Sequence, residues 1–134
     1  MAPATETKAT AAEKAVDQYF QAWNARDRTL RNAAVEGACA TDLVYTDPKA
    51  DVKGHQAFSE MIDAVHRQLA EQHATFTFLR TSAVDEHHGR LRFNWALKGH
   101  DAATVLAGVD FAQLSDDGRL QSVVGFFGDT PVSE

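Results

Sequence analysis

Cysteine is almost absent: Cys39 is the only one in 134 residues, which excludes an intramolecular disulfide. Its setting, EGACAT, suits a small packed hydrophobe, and no basic partner that would activate a catalytic thiol is identifiable from the sequence. No apolar run approaches the roughly 18 residues that a membrane span needs, so no membrane partner is expected. Dense basic runs are missing as well. The 13 Lys and Arg are scattered among 19 Asp and Glu, and a net charge of −6 argues against nucleic-acid phosphate as a partner. Neither a Gly-rich phosphate loop nor a redox motif appears, so no organic cofactor is expected. The histidines form no convincing metal set. His66 and His73 fall on or near one helical segment, His87 and His88 in a hairpin turn, and His55 and His100 in loops, so surface roles and no metal are expected. The opening MAPATETKATAA lacks the apolar core of a signal peptide and reads as a polar, flexible leader over residues 1–10, with a cytoplasmic location as the consequence.

What is present fits one domain, over residues 11–130, with neither repeat nor linker. Ala12, Val16, Tyr19, Phe20 and Trp23 recur at three- and four-residue intervals, the apolar stripe of a helix over about 10–26. Asp27 can cap a second helix to about Ala40, with Leu30, Ala33, Ala34 and Ala38 as its apolar face. Residues 43–46 and 50–53 read as short strands around an Asp47-Pro48 turn, and Phe58, Met61, Ile62, Val65 and Leu69 mark a third helix from about His55 to Gln72. Four long strands in meander follow. In RLRFNWAL, Leu91, Phe93, Trp95 and Leu97 alternate with polar residues, whereas TVLAGVDFAQL and RLQSVVGFFGD are apolar on both parities. The order predicts an α+β fold with three N-terminal helices on one face of an antiparallel sheet, and a second copy of the chain covering the outer face in a homodimer.

Three residues stand out within this frame. Asp110 is the only charge on the strand face of Leu106, Gly108, Ala112 and Leu114, and a carboxyl there must pair, meet solvent or stay protonated. Asp47 precedes proline and on local grounds needs no role beyond opening a turn, and Tyr19 can be an ordinary core tyrosine.

Together, the segments YFQAWNARD, LVYTDPKADVKGHQAF and VDFAQLSDDGRLQSVVGFF resemble the nuclear transport factor 2-like (cystatin-like) α+β cone fold, which includes ketosteroid isomerases and SnoaL-like polyketide cyclases. That resemblance spans nearly the whole chain and implies a curved sheet and helices enclosing a conical pocket, usually in dimers. Tyr19, eight residues before Asp27, is similar in position to the oxyanion-hole tyrosine of the isomerases. Asp47 matches their general-base aspartate, and Asp110 the protonated aspartate that donates the second hydrogen bond to the oxyanion. Phe93 and Phe127 align with apolar pocket positions. The segment between Tyr19 and Asp47 is longer than in those isomerases, and the whole pattern looks still more like a large bacterial SnoaL-like group.

The resemblance implies an isomerase or cyclase of a hydrophobic carbonyl compound that abstracts an alpha proton without a cofactor. One alternative is a non-catalytic protein whose cone binds an apolar small molecule, lined by Trp23, Phe93, Trp95 and Phe127. Another is an epoxide hydrolase-like enzyme, which in this fold needs an arginine between carboxylates; Arg90 and Arg92 have the wrong parity to face inward.

Overall fold

The computed structural model describes residues 10–133. The leader expected over residues 1–10 therefore lies, except for Thr10, outside the described residues. Thr10 sets the start of α1 (Ala11–Asn24) through a capping box in which its hydroxyl accepts from the Glu13 amide at 3.0 Å and the Glu13 carboxylate accepts from the Thr10 amide at 2.9 Å. Asp27 caps α2 (Arg28–Ala38) by accepting from the Leu30 amide at 2.9 Å. A third helix, α3, spans His55–Ala70.

The buried side of α2 differs from the expected one. Leu30 and Ala33 are exposed, Ala34 is half-buried, and Arg31 and Val35 are buried beside the expected Ala38. Arg31 tolerates burial because its guanidinium donates to Asp63 on α3 at 3.1 Å and to the Ala25 carbonyl at 3.0 Å, so an ion pair sets a face that alanine spacing did not suggest.

The strands are β1 (Cys39–Asp47), β2 (Ala50–Lys53), β3 (Phe76–Arg80), β4 (Asp85–His87), β5 (Arg90–Gly99), β6 (Thr104–Leu114) and β7 (Leu120–Phe127). They form one sheet in the order β2-β1-β7-β6-β5-β3, with the short β4 also paired to β5. The meander of β3, β5, β6 and β7 is as expected. The sheet is mixed, however, and not antiparallel throughout, because β1 pairs with β7 in parallel, with Tyr45 beside Val123 and Thr46 beside Val124. β4 was absent from the expected elements. It closes on β5 through His88 and Gly89, both at positive φ, 51° and 76°, a two-residue reversal that the EHHG turn signalled only in part.

The curved sheet turns one face to the helices. Leu91 and Phe93 from β5, Ala112 from β6, Val123 from β7, and Leu43 and Tyr45 from β1 pack against Val16, Tyr19 and Trp23 of α1 and Phe58 and Ile62 of α3. Cys39 is fully buried in this core, as its setting suggested. Among the described residues, no helix is long and apolar enough to cross a membrane.

Candidate active site

The register brings two carboxylates together. Asp110 lies opposite Gly125 in the β6–β7 ladder, and the parallel β1–β7 pairing brings Asp47 to the other side of the same glycine. A Cβ at position 125 would lie 2.8 Å from Asp110 Oδ1 and 3.6 Å from Asp47 Cβ, so glycine is what leaves room for both carboxylates on this face.

Tyr19 rises from α1 above them, and its hydroxyl donates to Asp110 Oδ2 at 2.9 Å. The longer chain between Tyr19 and Asp47 does not keep Tyr19 from Asp110. Both groups are buried, Tyr19 to 2% and Asp110 to 4% exposure. Burial pushes the Asp110 carboxyl up to about 7, with the Asp47 charge adding to the rise and the Tyr19 and Trp95 donors opposing it. Near neutrality Asp110 is therefore substantially protonated. Since Oδ2 accepts from Tyr19, the proton of the neutral carboxyl belongs on Oδ1. Burial likewise holds the Tyr19 phenol well above its ordinary range, with the Asp110 charge adding to it, so Tyr19 is a donor and not a phenolate.

Around this pair is a cavity of about 370 Å³. The sheet contributes Tyr45, Asp47, Phe78, Trp95, Leu97, Leu106, Asp110 and Phe127; α1 contributes Tyr19, Phe20 and Trp23; α3 contributes Met61, Ala64, Val65, Gln68 and Leu69. The volume suits a small organic molecule, and the lining is apolar except for a few converging polar groups. Six of the seven site residues expected from sequence line it: Tyr19, Trp23, Asp47, Trp95, Asp110 and Phe127. Phe93 does not. It pairs with Asp110 across β5–β6, but the rings of Tyr19 and Phe20 stand over it at 6.0 and 5.7 Å, and it is 1% exposed. Phe93 therefore packs beneath the tyrosine instead of meeting a ligand.

Trp95 reaches the cavity by crossing Gly108, its ladder partner, where any Cβ would collide with the indole at 2.7 Å. Its indole N–H lies close enough to Asp110 to favour the charged carboxyl, yet it falls short of hydrogen-bond geometry and has no other partner. Trp23 Nε1 is likewise buried without a partner.

Tyr45 was missed in the sequence. Its hydroxyl donates to Asp47 Oδ2 at 2.6 Å, while the Lys49 amide donates to Asp47 Oδ1 at 2.8 Å. The signal was the two-residue spacing in YTD, which puts Tyr45 and Asp47 on one strand face. Burial, chiefly, together with the hydrogen bond to Asp47, raises the Tyr45 phenol far above its usual range. Asp47 thus both opens its turn and faces the cavity.

His66 is buried, contrary to the surface role expected. Its Nε2 lies 2.6 Å from the Trp23 carbonyl and must donate there, which leaves Nδ1 unprotonated toward the Arg26 guanidinium at 3.5 Å. Among the described residues, no three His, Cys, Asp or Glu side chains group closely enough to hold a metal ion, and no arginine lines the cavity. Arg92 instead pairs with Asp85 on the outside at 2.7 Å.

Residues 16–123 match the family model described as SnoaL-like domain. Among solved structures, the chain is similar to a SnoaL-like family protein of Agrobacterium tumefaciens strain C58 that carries a provisional isomerase designation, at 29% identity and a TM-score of 0.80, covering 89% of this chain and 98% of that one. An NTF2-like protein of unknown function from Exiguobacterium sp. 255-15 matches at 17% identity and TM-score 0.64, covering 87% and 99% of the two chains. A Sinorhizobium meliloti protein provisionally called a polyketide cyclase matches at 16% identity and TM-score 0.62, covering 83% and 92%. At these lower identities the likeness is one of fold. No curated protein matches the chain.

Proposed function

The chain belongs to the SnoaL-like domain family, and we propose that it is an isomerase or cyclase of a hydrophobic carbonyl compound, acting without a cofactor by removing a proton alpha to the carbonyl. Asp47 is the base. Asp110 and Tyr19 stabilise the enolate that forms, and Trp23, Trp95 and Phe127 hold the apolar body of the substrate. The observation that carries this reading is the buried Tyr19–Asp110 hydrogen bond, 2.9 Å long, set across Gly125 from Asp47 inside an apolar cavity.

Removing an alpha proton leaves charge on oxygen, so the site needs an anionic base at carbon and neutral donors at oxygen. Asp47 and Asp110 have unequal surroundings: Asp47 is half-buried at a turn, whereas Asp110 is enclosed. Two like groups with unequal environments divide naturally into base and acid. The carbonyl oxygen accepts from Asp110 Oδ1, whose partner oxygen already accepts from Tyr19, so the phenol reinforces the donor. An ionised Asp110 would instead repel the enolate. The provisional isomerase designation of the Agrobacterium protein agrees with this chemistry.

The test is turnover of cyclic enones and 1,3-dicarbonyl compounds by wild type and Asp47→Asn. Loss of about a hundredfold or more in kcat supports the base, as general base catalysis typically contributes about 10²–10⁴-fold; unchanged turnover in the variant rejects it. Ligands that shift the Trp23 and Trp95 fluorescence yet are never turned over would move the reading to a binding protein.

A further inference from the structure

The base of this site is not free to turn. Asp47 Oδ2 accepts from the Tyr45 hydroxyl at 2.6 Å and Oδ1 from the Lys49 amide at 2.8 Å, so each oxygen carries one donor. The first bond has the length of a charge-assisted hydroxyl–carboxylate bond, the stronger kind. Tyr45 is itself fixed: it is 4% exposed, and its ring packs on Phe58 at 5.1 Å and Trp23 at 5.9 Å. The Lys49 amide is part of the turn backbone. The plane of the carboxylate is therefore set by two groups that cannot follow it, one from the strand and one from the turn, while the remaining lone pairs are left for the cavity.

We propose that Tyr45 is the positioning residue of this site: its hydroxyl holds the Asp47 carboxylate in the orientation from which it removes the substrate proton. The inference rests on Asp47 being the base. Tyr45 does not take the proton and does not bind the carbonyl oxygen. It fixes the rotation of Asp47 about its side-chain bonds, which an isolated aspartate on an Asp-Pro turn would leave loose. Freezing that rotation matters because a misplacement on the order of 1 Å at a reacting group can cost about a hundredfold in rate. It also gives the tyrosine-aspartate pair in YTD a function beyond packing.

Tyr45→Phe removes the hydroxyl and keeps the ring, so the contacts with Phe58 and Trp23 persist and a thermal melt should stay close to wild type. One readout needs no substrate. The short Tyr45–Asp47 bond should give a downfield hydroxyl proton resonance that disappears in Tyr45→Phe and in Asp47→Asn and remains in Tyr19→Phe. The second is kinetic. On any substrate that wild type turns over, Tyr45→Phe should lower kcat by about 10- to 100-fold with KM within about twofold, since orientation and not affinity is lost. If Asp47→Asn abolishes turnover while Tyr45→Phe keeps the wild-type kcat, the positioning role is wrong and the base assignment stands. A resonance that survives in Tyr45→Phe also overturns it. Should Asp47→Asn turn over as wild type does, the base assignment fails and the positioning role with it.

Discussion

Among single residues, Asp110 governs how the site responds to pH. Its carboxyl is raised from an ordinary 3.8 to about 7 by burial, so the folded chain holds a proton there that the unfolded chain releases. The folded state binds more protons between these values, and stability from this group falls as pH rises from about 4 to about 7. Each pH unit is worth about 1.4 kcal/mol, so a few kcal/mol are lost across that window. Asp110→Asn should flatten this slope in denaturant melts and be more stable than wild type at pH 8. Activity should also decline as pH rises through about 7, because the donor becomes an anion; Asp110→Asn, which retains a donor, should lose that limb. Gly125→Ala probes the same point sterically. A methyl 2.8 Å from Asp110 Oδ1 must displace the carboxyl, and turnover should drop by at least tenfold in kcat assays while the far-UV spectrum stays native. Asp110 was legible because strand parity isolates one charge on an apolar face. Phe93 was misread because parity gives the face of a side chain but not what covers it: the rings of Tyr19 and Phe20, brought by α1 from more than seventy positions away, close over it.

At the level of elements, α3 carries two stripes where the sequence suggested one. Phe58 and Ile62 enter the core, while Met61, Val65 and Leu69 line the cavity. Helical spacing identified all five but could not divide them, since that division depends on where the sheet curves away. His66 continues the core stripe. Burial, chiefly, and the Arg31 and Arg26 guanidinium groups lower its proton affinity, while the hydrogen bond to the Trp23 carbonyl and the Asp63 carboxylate oppose them. A histidine depressed in the folded state contributes stability above its unfolded value near 6.5, and that contribution is lost as pH falls through the lower folded value. The His66→Gln variant, whose amide can still donate to Trp23, should therefore lose less stability than wild type between pH 6.5 and pH 5. Because Asp110 acts in the opposite sense over part of this range, each slope is read as the difference between variant and wild type. The parallel β1–β7 pair was not legible at all. Alternation fixes which side of a strand is buried, but not its neighbour or direction. At the start of β1, burial pushes the Cys39 thiol up to about 12. Iodoacetamide should leave it unmodified in the native protein at pH 8 and label it fully in denaturant, as mass spectrometry would show.

For the molecule as a whole, order and periodicity announced an α+β fold: three helices, a hairpin around Asp47, then a meander. The helices cover one face of the sheet only. The other presents Val44, Val105, Phe111, Val124 and Phe126, each between 37% and 53% exposed, with the Phe111 and Phe126 rings 6.0 Å apart. These exposed apolar side chains fit the homodimer expected from strands that are apolar on both parities, and we propose a second copy of the chain as their cover. Sedimentation at micromolar concentration should give a dimer, with Phe126→Glu shifting it to monomer; a wild-type monomer would remove the idea. The cavity lies between the helices and the opposite face of the sheet, and the chemistry proposed for it turns on Asp47 facing one carbon while Asp110, backed by Tyr19, faces one oxygen. The most direct measurement is deuterium exchange at the alpha carbon of a bound cyclic enone, followed by proton NMR in heavy water. Wild type should speed exchange well above the buffer rate, and Asp47→Asn should return it to within about threefold of buffer while still binding the enone. Equal exchange by wild type and Asp47→Asn would contradict proton abstraction by Asp47.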